Sequence, residues 1–179
     1  MRKMVAGLFL SLDGVIEAPE TWTGPYMNDD MGQAIGAQFA GSDAMVLGRR
    51  TYETFAAAFA GRSDPMAQQM NRTPKFVVST TLKSADWENS SLIKCDVAAE
   101  LKQLKSQKGK NISVSGSATL VRWLLRNGLL DELNLLVPPI VVGEGQRLFD
   151  DHDGEIRLRL VDSKAFSTGV LSLTYAPAA

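Results

Sequence analysis

Several short stretches of this 179-residue chain carry side chains suited to chemistry rather than to packing. In "VLGRRTYE" (46–53), Gly48 is followed by Arg49, Arg50 and Thr51. Two arginines in the first turn of a helix oppose its dipole, whose N-terminal end is already positive. A bound phosphate resolves that conflict: helix N–H groups and a hydroxyl donate to it, and an arginine grips it with a planar fork of donors. Val78, Ser79 and Thr80 close "KFVVSTT" with a run of hydroxyls, and Gly116-Ser117-Ala118-Thr119-Leu120 follows "NISVS". Gly116 lets a backbone approach a ligand closely, at a second helix start. Asp13, in "SLDG", offers a carboxylate at the end of the first strand, where it orients a substrate or relays a proton. Glu17 and Trp22 follow as substrate-side candidates, a second carboxylate and an aromatic wall.

Each stretch also has a plainer reading. Glycine before Ser or Thr is ordinary helix capping, an Asp-Gly pair is an ordinary turn, and a lone Trp in a Gly/Pro loop is a surface staple. Together they fall into one register. All lie just past strands, and ligands of open α/β sheets sit outside the carboxyl ends of strands. The paired phosphates of a dinucleotide account for the first three jointly. The GxGxxG fingerprint after the first strand is absent, which points away from the common dinucleotide fold.

The elements that must position these residues alternate along the chain. "KMVAGLFLSL" (3–12), "DAMVLG" (43–48), "KFVVS" (75–79), "SSLIKC" (90–95) and "NISVSG" (111–116) read as strands. Met27, Met31, Ile35 and Phe39 recur at helical spacing behind a capping Asn28; Tyr52, Phe55, Ala56 and Phe59 form a second stripe. Residues 96–108 and 117–127 are two further helices, the latter capped by Ser117 and stopped by Gly128. After residue 130, "DELNLLVPPIVV", "IRLRLVDSKAF" and "VLSLTYAP" are strands with no long helix between them, so antiparallel pairing is expected. "VVGEGQRLF" (141–149) reads as a mobile glycine loop. The class is α/β, a mixed sheet with an antiparallel C-terminal edge, in one domain spanning 1–179.

Composition narrows the function classes. With 19 basic and 20 acidic residues the net charge is -1, so no broad field draws in nucleic acid or a membrane surface. The apolar run near the start is too short for a membrane span and lacks a cleavage site, so a cytoplasmic protein is expected. The single cysteine, Cys95, excludes an internal disulfide and is read as a buried thiol. The single histidine, His152, lies away from any cysteine pair, so no metal site is expected. The long apolar late strands invite pairing with a second copy.

The chain resembles the dihydrofolate reductase-like fold family, and within it the reductase domain of bacterial riboflavin biosynthesis (RibD C-terminal type) and its small stand-alone relatives. The resemblance rests on "LFLSLDGVI", "DAMVLGRRTYE", "PKFVVSTTL" and "ISVSGSATLVRWLLRNGLLDELNLLVPPIVVGEGQRLF", in that order. It implies a three-layer fold with a mixed central sheet of about eight strands, a bound NADPH and a homodimer. Gly48 to Thr51 match the motif around the adenosine phosphates, with the first arginine on the 2′-phosphate. Val78 to Thr80 match the segment along the adenosine ribose, and Gly116 to Leu120 the turn under the pyrophosphate. Asp13 matches a residue facing the substrate pocket. The implied reaction is hydride transfer to a pterin- or ribosylamino-pyrimidine-like ring or to a carbonyl, as in 5-amino-6-(5-phosphoribosylamino)uracil reductase. The alternative is a non-catalytic nucleotide-binding or sensor relative.

The chain also departs from the family. Dihydrofolate reductases have two adjacent glycines where Gly116-Ser117 stands here, and a carboxylate after a Trp-Pro turn that has no match. Their folate-tail arginine falls one residue away from Arg72. The zinc deaminase half of the riboflavin enzyme is missing from the sequence.

Overall fold

The computed structural model describes residues 1–178. All strands join one eight-stranded sheet in the order β4-β3-β2-β5-β1-β6-β8-β7. The chain runs β1 (Met4–Phe9), α1 (Asp29–Ala40), β2 (Ser42–Gly48), α2 (Arg49–Phe59), α3 (Pro65–Arg72), β3 (Lys75–Val78) and β4 (Ser90–Ile93). It continues through α4 (Val97–Ser106), β5 (Asn111–Ser115), α5 (Ala118–Arg126), β6 (Glu132–Val137), β7 (Leu158–Ala165) and β8 (Leu171–Pro177). β1 to β6 pair in parallel, and β8 runs antiparallel to both β6 and β7. The expected mixed sheet with an antiparallel edge is present. β7 and β8 form a hairpin as expected, while β6 pairs with β8 and not with β7, so that β8 lies between them.

Helix starts follow local chemistry. Asn28 accepts from Met31 N at 3.0 Å to open α1, and Ser117 accepts from Leu120 N at 3.2 Å to open α5. α3 has no counterpart among the sequence expectations, because its eight residues present few apolar side chains. Its signal was the pair Asp64-Pro65: Asp64 accepts from Ala67 N at 3.2 Å and Pro65 sits where no N–H is needed. β6 stops at Val137, because Pro138 and Pro139 cannot extend the ladder, and residues 138–149 become a rim loop.

Two layers cover the sheet. On one face Met4, Ala6, Leu8, Ile112, Val114 and Leu133 pack against Leu101, Leu104, Val121 and Leu124 of α4 and α5. On the other, Met45, Leu47 and Val77 pack against α2 and α3, and Met31 of α1 meets Phe166 and Val170. Lys75 is fully buried on that side. Its ammonium donates to the carbonyls of Met70, Asn71 and Thr73 at 2.7, 3.2 and 2.8 Å and lies 4.2 Å from the Trp87 ring centre. Burial pushes it down to about 8, and the carbonyls that end α3 are what a buried ammonium requires. Lys75 therefore closes a helix and is not a reacting group.

Cys95 corrects an expectation. It is exposed, not buried, because β4 ends at Ile93 and Asp96 turns the chain through φ 47 before α4. No helix among the described residues is long and apolar enough to cross a membrane.

Candidate active site

Because β1 to β6 are parallel, their carboxyl ends share one edge of the sheet. The spatial order β3-β2-β5-β1-β6 sets the Val78–Thr80, Gly48–Thr51 and Gly116–Leu120 segments side by side, with Asp13 next along the rim. Adjacent strands lie about 4.8 Å apart, so the track from β3 to β1 is roughly 14 Å long.

The turns after β2 and β5 interlock. A Cβ on Gly48 would fall 2.8 Å from Ser117 Oγ, and one on Gly116 would fall 2.5 Å from Thr51 Oγ1. Gly116 also has φ 76, in the left-handed region that glycine favours. Only glycines let these two turns come so close. The interlock sets the N-termini of α2 and α5 side by side. Gly48 at the N-cap has no side chain with which to cap α2, so its first N–H groups stay available to an anion. Ser117 in the second-glycine place is consistent with this packing, since its hydroxyl both caps α5 and touches Gly48. Ala118 and Leu120 are buried under the turn, while Thr119 is exposed.

The arginines divide. Arg49 is half-exposed and lies 3.7 Å from Glu53 on its own helix, whereas Arg50 lines the cleft described below. Ser79 is buried, and its hydroxyl accepts from Thr81 N at 3.2 Å and Leu82 N at 3.1 Å, holding the turn after β3. Val78 packs against the core and Thr80 is exposed beside it.

Asp13 is the most engaged carboxylate on the rim. It accepts from Ser11 Oγ at 2.6 Å, Val142 N at 3.1 Å and Gly143 N at 2.8 Å, with Arg147 Nη2 at 3.9 Å. The Ser11 hydroxyl and then the two backbone N–H groups pull its pKa from 3.8 to about 2. Arg147 Nε returns a bond to the Asp13 carbonyl at 2.9 Å, and Glu17 accepts from Gln146 N at 2.7 Å. The 141–149 loop expected to be mobile is thus stitched to the loop after β1, with an isolated bridge between Val15 and Arg147. Glu144 at its tip is exposed. Trp22 is buried, donating its indole N–H to the Glu17 carbonyl at 3.0 Å, so it braces this loop from behind.

Beside the interlock opens a cleft of about 800 Å³, a size suited to a small molecule. Its mouth holds Arg50, Thr51, Gly116, Glu17, Glu20 and Gln146, and it runs inward between α1 and the sheet. Asp13 and Trp22 support the mouth from outside it. Gln38, Asn134 and Thr174 on the inner wall were missed by sequence reasoning, although β6 and β8 carry a signal for the last two. The alternation Glu132, Asn134 and Ser172, Thr174 marks a polar face on strands whose other face is apolar.

Comparison with known proteins agrees with this architecture. The RibD C-terminal domain family matches residues 2–172. The chain belongs to the RibD C-terminal domain family. Among relatives of this RibD C-terminal domain, the uncharacterised protein YyaP of Bacillus subtilis (strain 168) is 30% identical over 183 residues, covering 97% of this chain and 94% of YyaP. Among solved structures, a putative riboflavin biosynthesis protein from Shewanella sp. PV-4 aligns over 99% of both chains, with TM-score 0.80 at 20% identity. Dihydrofolate reductase from Enterococcus faecalis, solved with NADP(H) and RAB-propyl, aligns over 99% of this chain and 97% of its own, with TM-score 0.66 at 14% identity. The fold is therefore the dihydrofolate reductase-like one implied by the sequence motifs.

Proposed function

We propose that this RibD C-terminal domain protein is an NADPH-dependent reductase that transfers hydride to a small heterocyclic or carbonyl substrate. The observation that carries the reading is the interlock of Gly48 with Ser117 and of Gly116 with Thr51. It sets two helix N-termini side by side at the mouth of a cleft that holds Arg50. A Cβ on either glycine would collide with the other turn, so the two glycines hold the helix starts close enough for one anion to meet the N–H groups of both.

The cofactor would lie along the rim track. Val78, Ser79 and Thr80 would hold the adenosine end, Arg49 or Arg50 the 2′-phosphate, and Gly48–Thr51 with Gly116–Leu120 the pyrophosphate. NADPH bound there supplies the hydride, and the chain's own groups supply position and exclusion of water. The loop anchored by Asp13 and Glu17 walls the mouth on the substrate side. Asp13 thereby acts in positioning; its tight set of donors keeps it charged, which is unsuited to giving up a proton.

The experiment is a titration with NADPH and with NADH. NADPH should bind more tightly by about 1.5–3 kcal/mol, the worth of a charge-assisted bond to the 2′-phosphate. Arg49→Ala and Arg50→Ala, measured separately, should show which guanidinium carries that preference, with the melting temperature unchanged. Equal affinities for the two cofactors in the wild type would remove the arginine assignment. NADPH binding without turnover of any oxidised pterin, folate or ribosylamino-pyrimidine would favour the sensor alternative.

A homodimer through the β7 edge completes the proposal. β7 is a sheet edge with residues 159–165 exposed, and Leu160, Val161 and Leu171 are 50%, 49% and 42% exposed. An open apolar edge of this kind pairs or aggregates. Light scattering should give twice the 19.4 kDa chain mass, and Val161→Glu should return a monomer. A wild-type monomer at micromolar concentration would exclude the dimer.

A further inference from the structure

The adenosine end of the rim track is built from a segment with no regular structure to hold it. Residues 79–89 join β3 to β4 as neither helix nor strand. Across the track, α2 begins at Gly48, which has no side chain to cap that helix start. Parallel pairing of β2 with β3 sets Gly48 beside Val78, and the ladder ends there. A grip on one 2′-phosphate needs the segment and the helix start at a fixed spacing, because a charge-assisted bond weakens steeply with length and angle.

Trp87 supplies the missing tie. It is buried near the far end of the segment, and its backbone N–H donates to Tyr52 Oη at 2.9 Å. Tyr52 follows Thr51 directly and is the buried residue of α2. The Trp87 indole N–H donates to Asn71 Oδ1 of α3 at 2.7 Å, and Asn89 donates to the Asn71 carbonyl at 3.0 Å. The Tyr52 and Trp87 rings lie 6.0 Å apart, with Leu82 and Ala85 of the same segment packed around them. A phenylalanine ring would fill the Tyr52 place equally well. What the hydroxyl adds is an acceptor for the Trp87 N–H, a buried donor that is costly to leave unpaired.

We infer that Tyr52 and Trp87 are positioning residues for cofactor choice. Their hydrogen bond holds the adenosine segment at the spacing from Arg49 and Arg50 that lets a 2′-phosphate be gripped, and so sets the preference for NADPH over NADH. Both are buried and neither lines the cleft, so they act through the segment and the helix start. The inference rests on the NADPH reading above.

The test is Tyr52→Phe in the full chain, which removes one oxygen and keeps the ring. The ratio of NADPH to NADH affinity should fall at least about fivefold, as expected when a charge-assisted bond loses its geometry. Adenosine 2′,5′-bisphosphate, the cofactor half that spans segment and arginine, should weaken by a similar factor. Hydrogen exchange read by mass spectrometry should show the amides of 80–89 opening at least about tenfold faster, with β1 and β5 unchanged. In a background lacking the arginine that carries the preference, Tyr52→Phe should no longer alter the ratio, since both changes then act on one interaction. A purely structural Tyr52 would lower the melting temperature and leave the ratio where it was. If Tyr52→Phe does not fold, Trp87→Phe removes the bond to Asn71, loosens the same tie and should also lower the ratio. An unchanged ratio in a folded variant, or the same effect of Tyr52→Phe with and without the arginine, would overturn this inference alone. A wild type that binds both cofactors equally would overturn it together with the arginine assignment, and one that binds neither would remove the reductase reading as well.

Discussion

Replacing Gly116 with alanine should abolish NADPH binding while leaving a folded protein. The added methyl would meet Thr51 Oγ1 at 2.5 Å and Cγ2 at 2.7 Å, so one turn must move away from the other. The residue would also occupy φ 76, which costs an L-amino acid about 1–2 kcal/mol. Moving the turns apart takes the N–H groups of α5 and α2 out of common reach of a pyrophosphate. Losing two charge-assisted bonds removes about 3 kcal/mol or more, hence at least about 100-fold in affinity. Isothermal titration gives the affinity, and far-ultraviolet circular dichroism shows whether the fold survives. The effect on stability should be the left-handed strain plus about 1–3 kcal/mol for parting the packed turns, visible as roughly 5–15 °C in melting temperature. A Gly116→Ala protein that binds NADPH as the wild type does would show that the interlocked turns are packing and not a cradle.

Asp13→Asn should lower turnover about 100-fold and leave cofactor affinity unchanged. The carboxylate accepts from Ser11, Val142 and Gly143 together, whereas an amide has one acceptor oxygen and brings its own N–H against donors. The 142–147 loop would shift, and a displacement of about 1 Å at a reacting centre costs on the order of 100-fold. The cofactor segments lie on other strands and would not feel it. The pH dependence separates positioning from proton transfer. The folded-state pKa of Asp13 is depressed from 3.8 to about 2, so its contribution is fully present above about pH 4 and is lost as pH falls through 2. Across neutral pH its charge is constant. The variant should therefore lower the plateau of the pH–rate profile without moving either limb. Disappearance of a limb in Asp13→Asn would instead make Asp13 the proton donor. An unchanged rate with a lowered melting temperature would reduce it to a turn residue.

Much of this was legible from residue order. Strand and helix periodicity, the Asn28 and Ser117 caps, the Gly128 stop and the antiparallel edge all depend on chemistry within a few residues, and the structure shows them close to their expected places. Glycine-arginine and glycine-serine motifs after strands announced a phosphate-sized vacancy in the charge pattern, and the parallel strands carried those motifs to one rim. The family resemblance rested on the same local stretches.

Which neighbours those stretches acquire is decided elsewhere. That Gly48 meets Ser117 and Gly116 meets Thr51 depends on β2 and β5 lying side by side, although 68 residues separate the two glycines along the chain. Asp13 was visible as a carboxylate at a strand end. Its donors at Val142 and Gly143 come from a loop that β6 delivers after Pro138 and Pro139 end the strand. Cys95 came out on the surface because β4 stops two residues before it. Asn134 and Thr174 lie on the polar face of alternating strands, and α1 and Gln38 roof them to make the inner wall of a cleft. Alternation tells the two faces of a strand apart but carries no information on what will cover each. Sequence alone determined which residues have the chemistry; long-range pairing, set by the burial of apolar faces far apart in the chain, decided which of them meet.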